Sequence, residues 1–249
     1  MTWTQIGWTI IALSAVLLVG FSLFFRHRYR YQVRNIPAVK QLEDQRVIAV
    51  ERGMGRQVVL GEGLWTHAYP GLGLHALAIL PGIVSPEDSV EGGQVISTGS
   101  GVLALFASQI VQGYYQNGFS PSLQDRMQSV SLPGPTPLAF TAGLLPDLSA
   151  KPPGSLALFG SFGLSAPLWA EAAQINGGHV FAAAGSVTAQ AALFLNVRDL
   201  LIGEEVFMLP GLMEPTALNQ AGWLTEDILR VALMALLIVA VILKVAGRL

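Results

Sequence analysis

The chain has 249 residues, a formal net charge of −2 and a mean hydropathy of +0.52. Hydrophobic residues make up 52% of the chain and charged residues 12%, about half of the roughly 25% that is usual in soluble domains. This composition excludes a disordered protein, a basic nucleic-acid-binding protein and a soluble domain with an ordinary charged surface. Because the chain has no cysteine, disulfides, thiolate metal sites and cysteine nucleophiles are excluded as well.

The chain opens with an uncharged apolar segment. Residues 1–25 carry no charged side chain, and Ile6–Phe25 forms 20 mostly apolar residues. A helix of this length spans about 30 Å, the thickness of the hydrocarbon core of a bilayer. No Lys or Arg precedes the segment and it ends in Phe-Phe-Arg, which is unlike a cleaved signal peptide. The sequence therefore predicts a transmembrane helix over residues 1–25.

A second apolar segment, Ile228–Val245, lies near the other end of the chain. Arg230 and Lys244 flank its apolar centre, and both can extend to the membrane interface. A helix buried against the domain is the alternative, but the segment has no polar stripe at helical spacing. We therefore predict a second transmembrane helix over residues 227–249.

Basic residues crowd beside the first predicted span. Eight of the fourteen Lys and Arg residues lie between residues 26 and 56, which we interpret as a basic juxtamembrane segment. By the positive-inside rule, the domain between the spans is then cytoplasmic and both termini lie outside the plasma membrane. Arg26, Arg28, Arg30 and Arg34 also suit an anionic lipid surface, although a simple stop-transfer flank explains them as well.

Between the spans, strand and helix patterns alternate, and glycines or prolines separate them. The first predicted helix covers 38–52 and the first strand 57–63, whereas the run 74–80 fits either type. The other predicted strands are 94–101, 129–132, 155–163, 179–185 and 199–209. The other predicted helices are 102–118, 166–177 and 186–197, and the run 138–144 within a proline-rich loop region fits either type.

This repeated order predicts an α/β domain over residues 57–226, with a mostly parallel sheet and covering helices. The strands are apolar on both faces, as expected when helices cover both sides of a sheet. The predicted helices 102–118 and 186–197 contain no charged residue, so we expect a partner to cover them. This favours a homo-oligomer or a subunit of a larger membrane assembly. An uncharged but polar monomer surface is the alternative.

Glycine and serine recur where predicted strands lead into helices. These turns lie at the carboxyl ends of parallel strands, where helix N–H groups can bind phosphates and other anions. We therefore name as candidate ligand-binding residues Gly99, Ser100, Gly101, Gly160, Ser161, Gly163, Gly185 and Ser186. The chain has no GxGxxG and no Walker A sequence. A purely structural role of these glycines in tight turns is therefore the alternative.

Glu204 and Glu205 stand out because they lie within an apolar segment that is predicted to be a strand. Neighbouring residues on a strand point to opposite faces, so we do not expect the two carboxylates to converge. We keep both as candidate ligand-binding residues, with structural ion pairing as the alternative. The four histidines lack the spacing of a metal site and no G-x-S-x-G occurs, so no metal, cofactor or catalytic residue is assigned.

Five longer segments contain most of these motifs. They are AVERGMGRQVVLGEG (49–63), VISTGSG (95–101), LFGSFGLSAPLWAEAAQINGG (158–178), LLIGEEVFMLPGLM (200–213) and EDILR (226–230). In this order they resemble a family of two-span bacterial membrane proteins of unknown function, common in green non-sulfur bacteria and their relatives. The resemblance covers most of the chain and implies a bacterial inner-membrane location, but it carries no catalytic residues.

The chain departs from that family at two places. Similar sequences have Gln-Asp where this chain has Glu226-Asp227. They also have a Glu soon after the second glycine of the turn that follows Phe159, where this chain has Leu164-Ser165-Ala166. A site built on that Glu in related proteins would therefore be in doubt here.

Together these patterns predict a membrane-anchored, self-assembling scaffold or an accessory subunit of a larger membrane complex. The expected partners are the lipid bilayer and further protein subunits, and no nucleic acid. The alternative is a membrane-tethered nucleotide- or phosphate-binding module, or an enzyme, that uses the glycine-rich turns.

Overall fold

The computed structural model describes residues 3–25, 36–63, 71–84, 93–116, 129–213 and 216–245. The helices are α1 (Trp3–Phe25), α2 (Pro37–Glu51), α3 (Leu72–Ile83), α4 (Gly101–Gln116), α5 (Pro137–Ala150), α6 (Ala166–Ile175), α7 (Val187–Leu193), α8 (Glu205–Met213) and α9 (Ala217–Val245). The strands are β1 (Arg56–Leu60), β2 (Gln94–Thr98), β3 (Ser129–Ser131), β4 (Ser155–Gly160), β5 (His179–Ala184) and β6 (Asp199–Leu201). The chain divides into a helical unit, Met1–Arg34 with Glu214–Leu249, and an α/β unit, Asn35–Met213.

The α/β unit is built on a six-stranded parallel sheet with the strand order β3-β2-β1-β4-β5-β6. The predicted α/β fold with a parallel sheet and covering helices is therefore confirmed. Strand β1 lies inside the sheet, where Val58 pairs in register with Ile96 of β2 and Ala157 of β4. The strand order runs outward from β1 to β3 on one side and from β4 to β6 on the other.

Helices cover both faces of this sheet. Side chains of α2, α3, α4 and α8 pack with Val58 on one face, and side chains of α5, α6 and α7 pack with Val59 on the other. Successive strand residues point to opposite faces, so Val58 and Val59 belong to different layers of the core. The large buried side chain of Trp169 packs edge-on against Phe140, with ring centroids 5.1 Å apart. The result is a three-layer sandwich with two apolar cores.

The segment 199–209, predicted as one strand, divides into two elements. Strand β6 ends at Leu201, Gly203 adopts a left-handed conformation with φ +65°, and α8 begins at Glu205. A short apolar run cannot distinguish a buried strand from a buried helix by periodicity alone, which explains the error.

Two runs that the sequence left open are helical. The run 74–80 lies in α3, and 138–144 lies in α5 within the predicted loop region. The N-terminus of α5 follows a known pattern: Thr136 Oγ1 accepts a hydrogen bond from Ala139 N (3.3 Å), and Pro137 occupies the first helical position.

The α/β unit begins and ends earlier than the predicted 57–226. Helix α2 falls in the predicted basic segment, yet Leu42 is buried in the core beneath it. Arg56, assigned to the same segment, is buried at the start of β1, where Nη1 donates to Ile83 O (3.3 Å). Residues 26–34, which include the four arginines assigned to a lipid surface, lie outside the described residues.

In the helical unit, α1 and α9 pack against each other. Helix α9 begins at Ala217 rather than at the predicted residue 227. Counting only residues that the structure describes, no helix is both long enough and apolar enough to cross a membrane. The two flanking spans therefore stay a prediction.

Candidate functional site

The strand order places a topological switch point at the carboxyl ends of β1 and β4. In open parallel sheets, ligands bind where connections from neighbouring strands leave toward opposite faces. Here β1 leads to α3 on one face of the sheet, and β4 leads to α6 on the other. We call this place the β1–β4 crevice. Gly61–Gly63 form its β1 side and Gly160–Gly163 its β4 side.

The two sides of the crevice approach each other through backbone contacts. Gly61 N donates to Phe159 O and Glu62 N donates to Ser161 O, both at 2.9 Å, so parallel pairing continues past the strand ends. Gly160 has φ +126°, and a Cβ atom there would lie 2.7 Å from Gly61 N. A Cβ on Gly61 would overlap the backbone of Ser161. Glycine at both positions is therefore a condition for closing this edge of the sheet.

Glu62 brings a carboxylate into the crevice. Its Oε1 atom is buried and has no hydrogen-bond partner in the described part of the chain. Burial raises the pKa of Glu62, and a hydrogen bond from the backbone of Gly163 offsets part of that rise. A buried polar atom without a partner is energetically unfavourable. Ser155 Oγ, Trp169 Nε1, His179 Nδ1 and Asn196 Oδ1 share this state, but Glu62 differs from these residues in carrying a carboxylate. We therefore take Glu62 as the centre of the candidate site.

The turn after β2 lies beside Glu62. Thr98 Oγ1 donates to Gly61 O (3.1 Å) and accepts from Ser100 N (3.2 Å), which ties this turn to the end of β1. A Cβ on Gly99 would lie 3.4 Å from Glu62 Cα and 3.3 Å from a ring carbon of Phe140. The absence of a side chain at Gly99 thus leaves room for the Glu62 backbone.

The structure brings four of the sequence-predicted residues together: Gly99, Gly160, Ser161 and Gly163. They converge on Glu62, which the sequence analysis did not select. The available signal was a carboxylate between two glycines, Gly61 and Gly63, directly after a buried strand.

Three of the other predicted residues lie at the N-termini of helices. Ser186 Oγ donates to Phe162 O (2.8 Å) and accepts from Ala189 N (3.1 Å), so its hydroxyl caps α7. Ser100 Oγ accepts a long hydrogen bond from Leu103 N (3.5 Å) at the start of α4. Gly101 is the first residue of that helix. These contacts support the structural role that the sequence left as the alternative.

The last predicted residues lie further along the sheet. Gly185, after β5, packs against the side chain of Leu72. The expectation that Glu204 and Glu205 lie on a strand is wrong, because Glu204 occupies an exposed turn and Glu205 begins α8. A carboxylate in a first helical turn interacts favourably with the helix dipole. Both glutamates follow β6, and β5 separates that strand from β4.

A second group of polar side chains lies at the amino ends of the strands. His179 Nε2 and Asp199 Oδ2 are 2.7 Å apart, and Ser155 pairs in register with His179. Serine, histidine and aspartate recur in hydrolases, but there the serine hydroxyl must reach a substrate. Ser155 as a whole is 1% exposed, whereas Glu62 is only half-buried. We therefore assign the Ser155 group a structural role.

A groove of about 580 Å³ opens at the same edge of the sheet. Its lining includes Gln57, Ser131, Asp147 and Lys151. Gln57 Nε2 already donates to Ser97 Oγ (2.7 Å), and Asp147 and Lys151 are exposed to solvent. Unlike the β1–β4 crevice, this groove has no buried hydrogen-bond acceptor without a partner among its described lining residues. We therefore treat it as the second candidate for a ligand site.

The fold and the crevice define a doubly wound, open-sheet α/β protein with a carboxylate at the switch point of its sheet. No protein-family model, curated protein or solved structure matches the chain. The resemblance to two-span bacterial membrane proteins therefore stays a prediction. Among the described residues, no group of three or more His, Asp or Glu side chains could hold a metal ion.

Proposed function

We propose that this chain is a membrane-anchored binding protein whose α/β domain holds a small organic ligand in the β1–β4 crevice. The observation that carries the proposal is the buried Oε1 atom of Glu62, which lacks a partner in the described chain. It lies where doubly wound sheets bind ligands. A ligand that donates a hydrogen bond to this oxygen would remove the penalty of leaving it unpaired.

Membrane anchoring rests on the two apolar helical segments. Ile6–Phe25 carries no charge over a length that matches a bilayer. Exposed apolar side chains are frequent on both helices, among them Trp8, Leu13, Val16 and Leu23 on α1 and Leu233, Leu236, Val239 and Ile242 on α9. So much exposed apolar surface is unfavourable in water and favourable in lipid. The basic residues after Phe25 support a cytoplasmic domain at the plasma membrane.

The crevice favours binding over catalysis. General acid–base chemistry normally requires a second group to exchange protons with the substrate or to orient the first. The described contacts bring Gly99, Ser161 and Gly163 close to Glu62, and these residues supply backbone groups and one hydroxyl. We therefore assign no catalytic residue.

The test is a thermal-shift screen of the full chain in mild detergent with nucleotides, sugars, amino acids and amines. We expect a ligand to raise the unfolding midpoint and Gly163→Ala to abolish that rise. The added methyl would lie 3.9 Å from Glu62 Oε1 and meet no other atom within 4 Å, so the unliganded midpoint should not change. Gly101→Ala, which meets nothing within 4 Å at the start of α4, is the matched control. A full ligand shift in Gly163→Ala would exclude the crevice.

A self-assembling scaffold is the second candidate, favoured by an apolar corner on the α/β unit. Ile175, Phe194 and Leu195 are 74%, 68% and 86% exposed at the ends of α6 and α7. These ends are joined by Gln174 Nε2, which donates to Asn196 O (2.8 Å). Exposed apolar residues that cluster in this way are typical of protein interfaces.

The scaffold candidate predicts a defined oligomer in mild detergent. Leu195→Glu should shift the mass measured by light scattering toward the monomer, because a buried charge at an interface is unfavourable. Leu138→Glu, at an exposed position on α5 outside the corner, should leave the mass unchanged. A wild-type chain that is monomeric in detergent would argue against self-assembly.

A further inference from the structure

We infer that the ligand group meeting Glu62 is a protonated amine and not a phosphate. This inference rests on the proposed function, because it names the ligand chemistry of the same crevice. Oε1 is buried without a partner in the described chain, and an ionised carboxylate only accepts hydrogen bonds. An ammonium group supplies both the missing donor and the missing positive charge.

The place where a phosphate would bind is altered in this chain. In dinucleotide-binding sheets, the pyrophosphate rests on the turn after the first strand and on the N-terminus of the helix that follows it. Here that turn carries Glu62, and α3 begins only at Leu72. Leu72 is buried and packs against Gly185. A phosphate that approached the end of β1 would therefore meet the carboxylate of Glu62.

The distribution of charges in the described α/β unit also disfavours the binding of a phosphate. Glu62, Glu204 and Glu205 all follow strands at the carboxyl edge of the sheet. The described Lys and Arg residues lie on α2 or in segments that lead into strands: Lys40, Arg46, Arg52, Arg56, Lys151 and Arg198. The sequence of the connection 64–70 contains no Lys or Arg either. The carboxyl edge is therefore negative, which attracts cations and repels phosphates.

The two ligand classes predict opposite responses to pH. The described contacts bring Gly99, Ser161 and Gly163 close to Glu62, and none of these three residues titrates. The connection 64–70 lies outside the described residues, and its sequence contains the titratable residues His67 and Tyr69. His75, on α3, packs edge-on against Phe207 with ring centroids 5.3 Å apart, and burial lowers its pKa. Amine binding requires ionised Glu62, so it should tighten as the pH rises through the Glu62 pKa. Phosphate binding requires the protonated carboxyl of Glu62, so phosphate binding should weaken over the same rise in pH.

The experiment is calorimetric titration of the full chain in mild detergent with putrescine and spermidine, compared with choline, pyrophosphate and ATP. We expect the two amines to bind, and choline, which carries the charge without an N–H donor, to bind more weakly. Glu62→Gln should weaken amine binding at least about tenfold and remove its pH dependence. Glu171→Gln, at an exposed position on α6, should leave binding unchanged.

The outcomes separate this inference from the proposed function. Gly163→Ala is the second variant, because it keeps the charge of Glu62 but fills the space beside Oε1 and should also weaken putrescine binding. If ATP or pyrophosphate binds instead, and Glu62→Gln strengthens that binding, the amine inference is overturned while the crevice remains the site. If none of these compounds binds, and no ligand in the thermal-shift screen gives a shift that Gly163→Ala abolishes, both the amine inference and the proposed function are wrong.

Discussion

Glu62 is the residue at which local sequence and tertiary structure conflict most clearly. A glutamate next to two glycines is expected on the surface, where water satisfies its carboxylate. The parallel sheet instead places it between the ends of β1 and β4, where Oε1 is buried. Such conflicts concentrate at functional sites, where a protein retains an unfavourable group for a purpose.

The first prediction concerns the pH dependence of stability. Burial raises the pKa of Glu62 above its ordinary value of 4.5 in the folded chain. The folded state therefore holds this proton more tightly than the unfolded state does. The associated stability is fully present below the ordinary pKa and is lost as the pH rises through the raised pKa. Glu62→Gln cannot ionise, so its stability should not fall in this pH range, and it should unfold at a higher midpoint than wild type near neutral pH.

The measurement is a series of denaturation curves over that pH range for wild type, Glu62→Gln and Glu204→Gln. His75 contributes with the opposite sign, because burial lowers its pKa. The stability that neutral His75 contributes is present above its ordinary pKa of 6.5 and is lost as the pH falls through the lowered pKa. Comparing variants at each pH cancels the His75 contribution. Identical curves for wild type and Glu62→Gln would show that the carboxyl is not buried.

At the scale of elements, the ends of β1 and β4 depend on glycine for different reasons. Gly160 needs a left-handed backbone, and Gly61 needs space against Ser161. The sequence pattern identified Gly160 as a turn residue but could not reveal these contacts. Parallel neighbours are far apart in the chain, so their register is fixed only when the strands pair.

We predict that Gly160→Ala lowers the free energy of unfolding by about 1–3 kcal/mol, because alanine is strained at φ +126°. A further loss is expected since the Cβ would lie 2.7 Å from Gly61 N. Chemical denaturation measures the change. Gly101→Ala is the control, because it meets nothing within 4 Å at the start of a helix. Equal stability of the two variants would contradict the close approach of β1 and β4.

At the scale of the whole molecule, the proposal is an α/β domain attached to the inner face of a bacterial plasma membrane. The chain has no cysteine, so single cysteines can report the side of the membrane without background. Thr2→Cys should react with a membrane-impermeant maleimide in intact cells. Glu171→Cys, exposed on α6, should react only after the membrane is permeabilised. The reverse pattern would place the domain outside, and labelling of both in intact cells would exclude two spans.

Much of the fold could be predicted from the sequence, and the exceptions have physical reasons. Strands such as 155–163 and helices such as 166–177 were recognised within a few residues, because apolar patterns and glycine stops are local signals. Segment 199–209 was assigned wrongly because its short apolar runs do not distinguish a strand from a helix. The candidate site was predicted in part: Gly99, Gly160, Ser161 and Gly163 belong to it, whereas Glu204 and Glu205 do not.

The sequence by itself determined the α/β class, the parallel pairing and the shortage of charge, because each depends on composition or on local order along the chain. Only the tertiary structure decided the strand order, and with it which turns meet. Gly61 and Gly160 are about a hundred residues apart in the sequence. In the fold, a side chain on Gly160 would clash with Gly61 N, and a side chain on Gly61 would clash with the backbone of Ser161. The isolation of Glu62 Oε1 follows from that meeting, since burial depends on neighbours that the chain supplies only after it has folded.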